Sequence, residues 1–310
     1  MRLVIRPVLT IAAILALVLP QLFDREIVDI LVFTCIYSIA GLGVGLLLRT
    51  CGIINAGQAL FYGVGAYTTA YLSIHYGVHW LVDIAGGALL SATIALLLGW
   101  PILRLQGYFL TLATIALGII GHSLFFEWVG ITGGELGIGG IPTIVIAGNA
   151  LNTPISFYYL TVAVLAACLW IASNLINSRT GLMLQGMRND ADAAASLSVD
   201  NRGLEVRVFV LSAIFGSLAG SLFAHYTSFV GVHSFDIVKS ITFLLIPVLG
   251  GAQYLAGLVI GALFVTLAPH YLGAFGHIHQ VLFGLALVLV VTLMPGGIAG
   301  TVQQVIGRRN

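Results

Sequence analysis

Charged side chains in this chain are concentrated in one segment between two long apolar stretches. The 310 residues include only 12 Lys and Arg and 11 Asp and Glu. Eight of these lie within 177–207, namely Arg179, Arg188, Asp190, Asp192, Asp200, Arg202, Glu205 and Arg207. A segment with so many charges must lie in water.

The remaining ionisable residues form no pattern typical of an enzyme. The eight histidines are scattered, at positions 75, 79, 122, 225, 233, 270, 277 and 279. Asp29, Asp83 and Glu127 lie near the ends of apolar segments, whose middles have essentially no carboxylate. A carrier driven by protons or sodium would normally need a buried carboxylate. The sequence also lacks a Walker-type phosphate loop, so we expect any energy source to be external to this chain.

Another set of polar residues lies beside two glycine-rich interruptions, at 51–72 and 246–264. The closely spaced glycines are Gly57, Gly63 and Gly65 in the first and Gly251, Gly257 and Gly261 in the second. Paired interruptions in the two halves of a membrane protein indicate an internal repeat around a pathway, whereas the alternative is ordinary packing of small residues. The polar groups predicted to face the pathway are Asn55, Gln58, Tyr62, Thr111, Thr114 and Gln253.

Composition determines the class of protein to which these residues belong. Hydrophobic residues make up 59% of the chain and charged residues 7%, whereas a soluble domain usually has about 25% charged residues. The chain is therefore expected to be an integral membrane protein surrounded by lipid. Its net charge of +1 gives no indication of nucleic-acid binding. The three cysteines, Cys35, Cys51 and Cys168, are expected to be apolar packing residues without metal.

The apolar segments predict the spans and their orientation. They cover 7–23, 27–48, 57–75, 84–101, 107–127, 155–176, 208–231 and 279–294, with a longer region at 240–272 that we expect to cross twice. This gives about ten crossings, with eight or nine as alternatives. With a cytoplasmic N-terminus, ten of the twelve cationic residues lie on the cytoplasmic side, and only Arg25 and Lys239 lie opposite. Both termini are therefore predicted to be cytoplasmic.

The charged segment also contains a predicted short helix. Asn189 or Asp190 can cap it, and the following stretch ADAAASL favours helix. A helix of about nine residues is not stable alone in water. We therefore expect this helix to dock on a partner protein, although a solvated connector is the alternative.

Five stretches, in order along nearly the whole chain, resemble one known family. They are GLGVGLLLRTCGIINAGQALFYGVGAYTTAYL (41–72), LRLQGYFLTLATIALGII (103–120), TGGELGIGGIP (132–142), GMRNDADAAASLSVDNRGLEVRVFVLSAIFGSLAGSLFAH (186–225) and VLGGAQYLAGLVIGALF (248–264). Together they are similar to the permease subunits of LIV-type ABC importers for branched-chain amino acids, specifically the M-like subunit.

The resemblance implies the partners and the energy source. Such a subunit forms half of a heterodimeric pore in the cytoplasmic membrane of bacteria or archaea. Two cytoplasmic ATPases bind ATP and drive it, a periplasmic or extracellular solute-binding protein delivers the solute, and the permease itself needs no cofactor. By motif match, coupling to the ATPases would involve Arg188, Asn189, Asp190, Asp192, Ala194 and Leu197.

Several positions depart from the family pattern and leave the solute open. Gln58 replaces a histidine, so a charged imidazole is excluded there, and Glu135 lies where Ser or Asn is common. Ala191 and Ser198 replace an acidic residue and a glycine, and Leu258 follows Gly257 where the family has proline. Branched-chain amino acids are the first expectation, and urea, short amides or other carboxylate-bearing solutes are alternatives.

These observations favour one function and leave one alternative. We expect a single all-α domain over 1–310, a polytopic transmembrane bundle with interrupted helices, an internal repeat and a cytoplasmic coupling loop at about 177–207. Its expected role is that of an ABC-importer permease without enzymatic activity. The competing class is a stand-alone secondary transporter or channel, which would move solute without ATPases.

Overall fold

The computed structural model describes residues 20–21, 24–146, 148–189 and 201–272, and towards the C-terminus 284, 285, 288, 292, 294 and 296–301. The predicted spans 7–23 and 279–294 therefore fall largely outside the described residues. The same holds for 190–200, a stretch that includes four of the predicted coupling residues, Asp190, Asp192, Ala194 and Leu197.

The described chain is a helix bundle, which confirms the predicted all-α class. Its helices are α1 (Arg25–Thr50), α2 (Gln58–Tyr76), α3 (Trp80–Ile102), α4 (Tyr108–Glu127), α5 (Pro154–Ile176), α6 (Arg179–Asn189), α7 (Asn201–Thr227), α8 (Ile237–Gly250) and α9 (Leu255–Leu272). In the described residues six of them, α1, α3, α4, α5, α7 and α9, are long and apolar enough to cross a membrane. The chain is thus polytopic.

The centre of the bundle is formed by α1, α2 and α7. In the most apolar part of α1, 78% of residues are buried, and the value for α7 is 67%. The corresponding values for α3, α4, α5 and α9 lie between 22% and 33%, so these helices form the outer layer. Helices α1 and α7 run in opposite directions, because Asp29 near the start of α1 accepts a hydrogen bond from Tyr226 at the end of α7.

Two helices begin inside the bundle rather than at its surface. Gln58, the first residue of α2, donates from Nε2 to the carbonyl oxygens of Ala40 (3.4 Å) and Ser212 (2.9 Å), which lie near the middles of α1 and α7. Helix α8 begins at the same level, because its Ser240 Oγ accepts from the Ala59 amide at 3.0 Å. Segments 51–57 and 228–236 therefore enter the bundle from opposite ends, as in an inverted repeat.

The second interruption lies elsewhere than the glycine pattern predicted. Region 240–272 does form two helical pieces, α8 and α9, of which α9 is long enough to cross a membrane and α8 is shorter, and the glycine-rich stretch 246–264 forms the hairpin between them. The two crossings remain a prediction. A Cβ on Gly250 would lie 1.9 Å from the Gly257 carbonyl oxygen, so these glycines allow two helices to approach closely. The segment that corresponds to 51–57 in space is therefore 228–236. The glycines of 246–264 serve the packing of two helices, which was the alternative explanation.

The long connection between α4 and α5 is ordered by short turns and ribbons. Thr132 Oγ1 donates to the Phe125 carbonyl and accepts from the Gly134 amide, which closes a turn in which Gly133 has φ +72°. Strand β1 (Ile138–Gly139) pairs antiparallel with β4 (Phe229–Val230), and β2 (Val145–Ile146) pairs antiparallel with β3 (Asn149–Ala150). The TGG motif, residues 132–134, thus forms a turn at the end of α4. The pairing of β1 with β4 holds the connection near the end of α7.

Several cations assigned to loops belong to helices instead. Arg202 and Arg207 lie in the first turns of α7, where Val206 and Val208 are buried in the bundle. Lys239 lies in the first turn of α8, beside the middle of α1, and not in an external loop. The cytoplasmic placement of the termini remains a prediction.

The closest helix contact in the core gives a stability prediction. A Cβ on Gly220 would lie 1.8 Å from the Tyr62 carbonyl oxygen, whereas nothing lies within 4 Å of a Cβ on Gly186 in α6. We expect Gly220→Ala to lower the unfolding temperature in detergent, because overpacking costs about 1–3 kcal/mol or more. The matched Gly186→Ala should be neutral or stabilising, by up to about 1 kcal/mol. Equal unfolding temperatures for the two variants would contradict this packing.

Candidate functional site

The point where α2 and α8 begin contains a fully bonded polar cluster. Gln58 Oε1 accepts from Asn55 Nδ2 at 3.0 Å and from Ser212 Oγ at 3.2 Å, while its Nε2 makes the two bonds to backbone carbonyls described above. Both functional atoms of the amide are thus used twice. An amide has a donor and an acceptor end, which is why Gln58 can join three segments of chain at one buried position.

Side chains also satisfy the unwound backbone before α2. The Gly57 amide donates to Asn55 Oδ1 (3.0 Å) and the Ala56 amide to Thr114 Oγ1 (3.2 Å), which in turn donates to the Thr111 carbonyl. Backbone at this depth of an apolar bundle must find such partners within the protein. The polar residues of this region therefore have a structural role that the sequence analysis did not assign to them.

An aromatic cluster lies directly beyond the polar cluster. The rings of Tyr62 and Tyr67 both pack against Phe235, with centroid distances of 5.6 and 5.3 Å, and Phe125 and Phe243 complete the cluster. Within the described residues the hydroxyls of Tyr62 and Tyr67 have no hydrogen-bond partner. The cluster closes the interior of the bundle on this side of the polar residues.

The predicted pathway residues do not line one open cavity in this structure. Asn55, Gln58, Tyr62 and Thr114 are at most 1% exposed. Thr111 is partly exposed on α4. Gln253 is exposed in the turn between α8 and α9, apart from the other five. Four of the six are therefore sealed within the protein in this conformation. Their roles in transport remain predictions.

The cation Lys239 lies at the level of the middle of α1, whereas the sequence analysis placed it on the side of the membrane opposite the cytoplasm. Lys239 Nζ donates to Tyr37 Oη at 2.8 Å and lies 4.9 Å from the centre of the Tyr37 ring. Both line a half-open cavity of about 430 Å³ between α1, α8 and α9, with Thr242, Thr266 and His270. The signal that could have revealed it is a lysine that directly begins an apolar stretch of α8.

A buried carboxylate was also missed. Asp83 in the first turn of α3 is fully buried, and its Oδ1 lies 3.3 Å from His225 Nε2. His225 Nδ1 must donate to the Pro142 carbonyl oxygen at 2.9 Å, because a carbonyl only accepts. His225 is therefore neither a surface residue nor simply apolar packing. The group joins α3, α7 and the connection that precedes β2 near one end of the bundle.

The charged segment contacts the start of the interrupted region through Arg188. Arg188 Nη1 donates to the Arg49 carbonyl at 3.0 Å, and its side chain covers Gly52, where φ is +70°. Helix α6, which carries Arg188, is capped by Ser178, whose Oγ accepts from the Gly181 amide. Asn189 lies in the last turn of α6, so within the described residues it ends this helix.

The cysteines are consistent with packing roles. All three thiols are free, and Cys35 and Cys168 are buried. Cys51 is partly buried. Among the described residues no group of three His, Cys, Asp or Glu side chains is placed to hold a metal ion.

Comparison with known families decides the class. The sequence profile of the family described as "Branched-chain amino acid transport system / permease component" matches residues 26–291. The chain belongs to this family. The match covers all the described transmembrane helices except the first residue of α1, together with the polar cluster, the α6 segment and the Lys239 cavity. With six long apolar helices in its described part, this permease is a multi-pass inner-membrane protein of a transport family rather than of an enzyme family.

Two curated relatives extend over most of the permease. It is 29% identical, over 308 residues, to the high-affinity branched-chain amino acid transport system permease protein LivM of Escherichia coli (strain K12). It is 28% identical to the protein of the same name from Salmonella typhimurium (strain LT2). Each match covers 92% of this chain and 72% of the relative. No solved structure matches it.

The polar cluster leads to a prediction about Gln58. Gln58→Leu roughly keeps the size of the side chain but leaves the Asn55 amide and the Ser212 hydroxyl without their acceptor and removes the bonds to the Ala40 and Ser212 carbonyls. Each buried polar group left unpaired costs about 1–3 kcal/mol. We expect a lower unfolding temperature and a smaller folded fraction of the permease on gel filtration in detergent. The control Gln253→Leu changes the same residue type at an exposed position and should unfold like the wild type. If both variants unfold alike, Gln58 does not hold the interrupted segment.

Proposed function

We propose that this permease passes branched-chain amino acids across the cytoplasmic membrane as one half of an ATP-driven import pore. The other half would be a homologous permease subunit. Two cytoplasmic subunits would bind and hydrolyse ATP, and a solute-binding protein would deliver the amino acid from outside. The permease would then need no cofactor and would hydrolyse no nucleotide itself.

The buried core supports the requirement for a second permease subunit. Asn55, Gln58 and the aromatic cluster fill the interior, so the described part of the chain encloses no open route between them. A route along the bundle surface must be closed by other protein, because lipid cannot face a polar solute. A heterodimeric pore supplies that second wall.

The exposed face of α6 supports docking of an ATPase. Leu184 and Met187 are buried against the bundle and fix α6 in place, whereas Leu182 is 64% exposed and Met183 48% exposed. Exposed apolar residues on an otherwise polar helix are typical of an interface. Through Arg188 the same helix contacts the junction at which α1 ends and the interrupted segment begins. Movement of a docked ATPase would thus reach the start of α2.

The buried pair of Asp83 and His225 favours the competing carrier class more than the sequence analysis expected. Buried carboxylates and histidines within membrane segments are typical of proton and ion paths. In this structure, however, the pair lies near one end of α3 and α7 and joins them to the Pro142 carbonyl. A structural tie accounts for these contacts without proton transport.

Reconstitution separates the two classes. The permease would be placed in proteoliposomes alone, and in parallel with its sister permease, the ATPase subunits and the binding protein. We expect ATP-dependent uptake of radiolabelled leucine only by the complete complex, because the chain has no driving force of its own. Uptake by the permease alone along an imposed proton or sodium gradient would instead establish a secondary transporter.

The contact of Arg188 with Arg49 predicts an uncoupled variant. In Arg188→Gln the shorter side chain cannot maintain the bond to the Arg49 carbonyl. A hydrogen bond from a charged donor is worth about 1.5–3 kcal/mol. We therefore expect leucine uptake to fall by about tenfold or more, while the complex still assembles and hydrolyses ATP. Arg179→Gln, an exposed position on the same helix, is the matched control. Unchanged uptake per ATP in Arg188→Gln would exclude this route of coupling.

A further inference from the structure

The ammonium group of Lys239 occupies an unusual position for a cation. It is bonded to Tyr37, the thirteenth of the 26 residues of α1, and thus lies midway along a helix that is long enough to cross the membrane. A cation at this level is costly in contact with lipid, and such residues face a water-filled cavity or the protein interior. Lys239 is partly exposed, so a cavity open to water or to a partner subunit is required.

No carboxylate neutralises this cation within the described part of the chain. The described ion pairs do not include Lys239, and no Asp or Glu lines its cavity. Asp236 is close in sequence, but its Oδ1 accepts from the Lys239 backbone amide at 2.9 Å and caps α8. The bond to the Tyr37 hydroxyl stabilises the ammonium without cancelling its charge. The cavity therefore has a surplus of positive charge.

The other walls of the cavity suit an aliphatic group. Phe33 and Val265 provide apolar surface, while Thr242 and Thr266 add hydroxyls near the lysine. The volume of about 430 Å³ lies within the range typical of small-molecule sites, about 300–1,000 Å³. A cation at one point and apolar walls around it match a small solute with a carboxylate and an aliphatic side chain.

The remaining surface of the bundle is different. The outward faces of α3 and α4 have large apolar side chains such as Leu89, Leu97, Phe109 and Ile120, each at least half exposed. These faces suit lipid. The cavity that contains Lys239 lies instead between α1, α8 and α9, and polar side chains form part of its wall. This is the surface along which a solute would pass if a second permease subunit covered it.

We propose that Lys239, held by Tyr37, binds the carboxylate of the transported solute midway across the membrane. The inference rests on the proposed function and narrows its solute class to monocarboxylates with an aliphatic side chain, which disfavours urea and neutral amides. A single ammonium already bonded to a hydroxyl holds a carboxylate only weakly. Weak binding is what passage requires, because a tightly bound solute would not leave.

A first experiment tests the charge and the accessibility of the cavity without any transport. Thr242→Cys is introduced into the complex with Cys35, Cys51 and Cys168 replaced by Ala. Its reaction rates with an anionic and a cationic methanethiosulfonate are compared. We expect the anionic-to-cationic ratio to fall by about tenfold when Lys239→Met is added, since a charge in a cleft concentrates counter-ions. No reaction, or an unchanged ratio, would overturn the proposal.

A second experiment tests recognition of the carboxylate with the same thiol. Leucine at millimolar concentration should slow the labelling of Thr242→Cys, and leucinamide, in which an amide replaces the carboxylate, should not. Lys239→Arg should keep the protection by leucine, and Lys239→Met should abolish it. Equal protection by leucine and leucinamide would show that the carboxylate is not recognised and would refute the assignment of Lys239.

A third experiment separates failure of this site from failure of the proposed function. In the complete complex, Lys239→Met should reduce ATP-driven leucine uptake by about tenfold or more. Val238→Met, at an adjacent position that is 62% exposed, should not change uptake. If both variants take up leucine like the wild type, the role of Lys239 is wrong, while the proposed function still stands. If the wild-type complex takes up no leucine, the proposed function fails, and the labelling ratio decides whether the cavity binds anions.

Discussion

The architecture depends on how hydrogen bonds are supplied to backbone that is not helical inside an apolar bundle. Segment 51–57 brings backbone amide groups to the level of the middle of α1, where they need hydrogen-bond acceptors from the protein itself. Thr114 and Asn55 accept from the Ala56 and Gly57 amides, Ser240 accepts from Ala59 in the first turn of α2, and Gln58 joins α1, α2 and α7 through its amide. These bonds allow α2 and α8 to begin within the bundle.

This arrangement has a consequence for function. The bonds and the aromatic cluster of Tyr62, Tyr67 and Phe235 fill the space between the two helix starts, so the interior is a support rather than a channel. Our proposals accordingly assign roles in transport to two surfaces. One is α6, where Arg188 contacts the end of α1, and the other is the cavity of Lys239. Segment 51–57 leads from the Arg188 contact to the central cluster, and α8, which carries Lys239, begins beside that cluster.

Sequence reasoning located most helices because each span must bury about 20 apolar residues. It failed where one signal has two physical causes. Closely spaced glycines permit both a broken helix and a close helix contact, and in 246–264 the contact between Gly250 and Gly257 accounts for them. Polar residues in an apolar span can bind solute or satisfy backbone, and Asn55, Gln58 and Thr114 do the latter in this structure.

The sequence by itself determined the membrane class, the approximate helices and the family, because hydrophobic length and ordered motifs are properties of the chain read in one dimension. Only the tertiary structure decided that 228–236 is the counterpart of 51–57, that Asp83 meets His225, and that Lys239 lies beside Tyr37. These pairs are separated by 142 or more residues in the sequence. Their proximity follows from how the helices pack, and local sequence patterns contain no information about such distances.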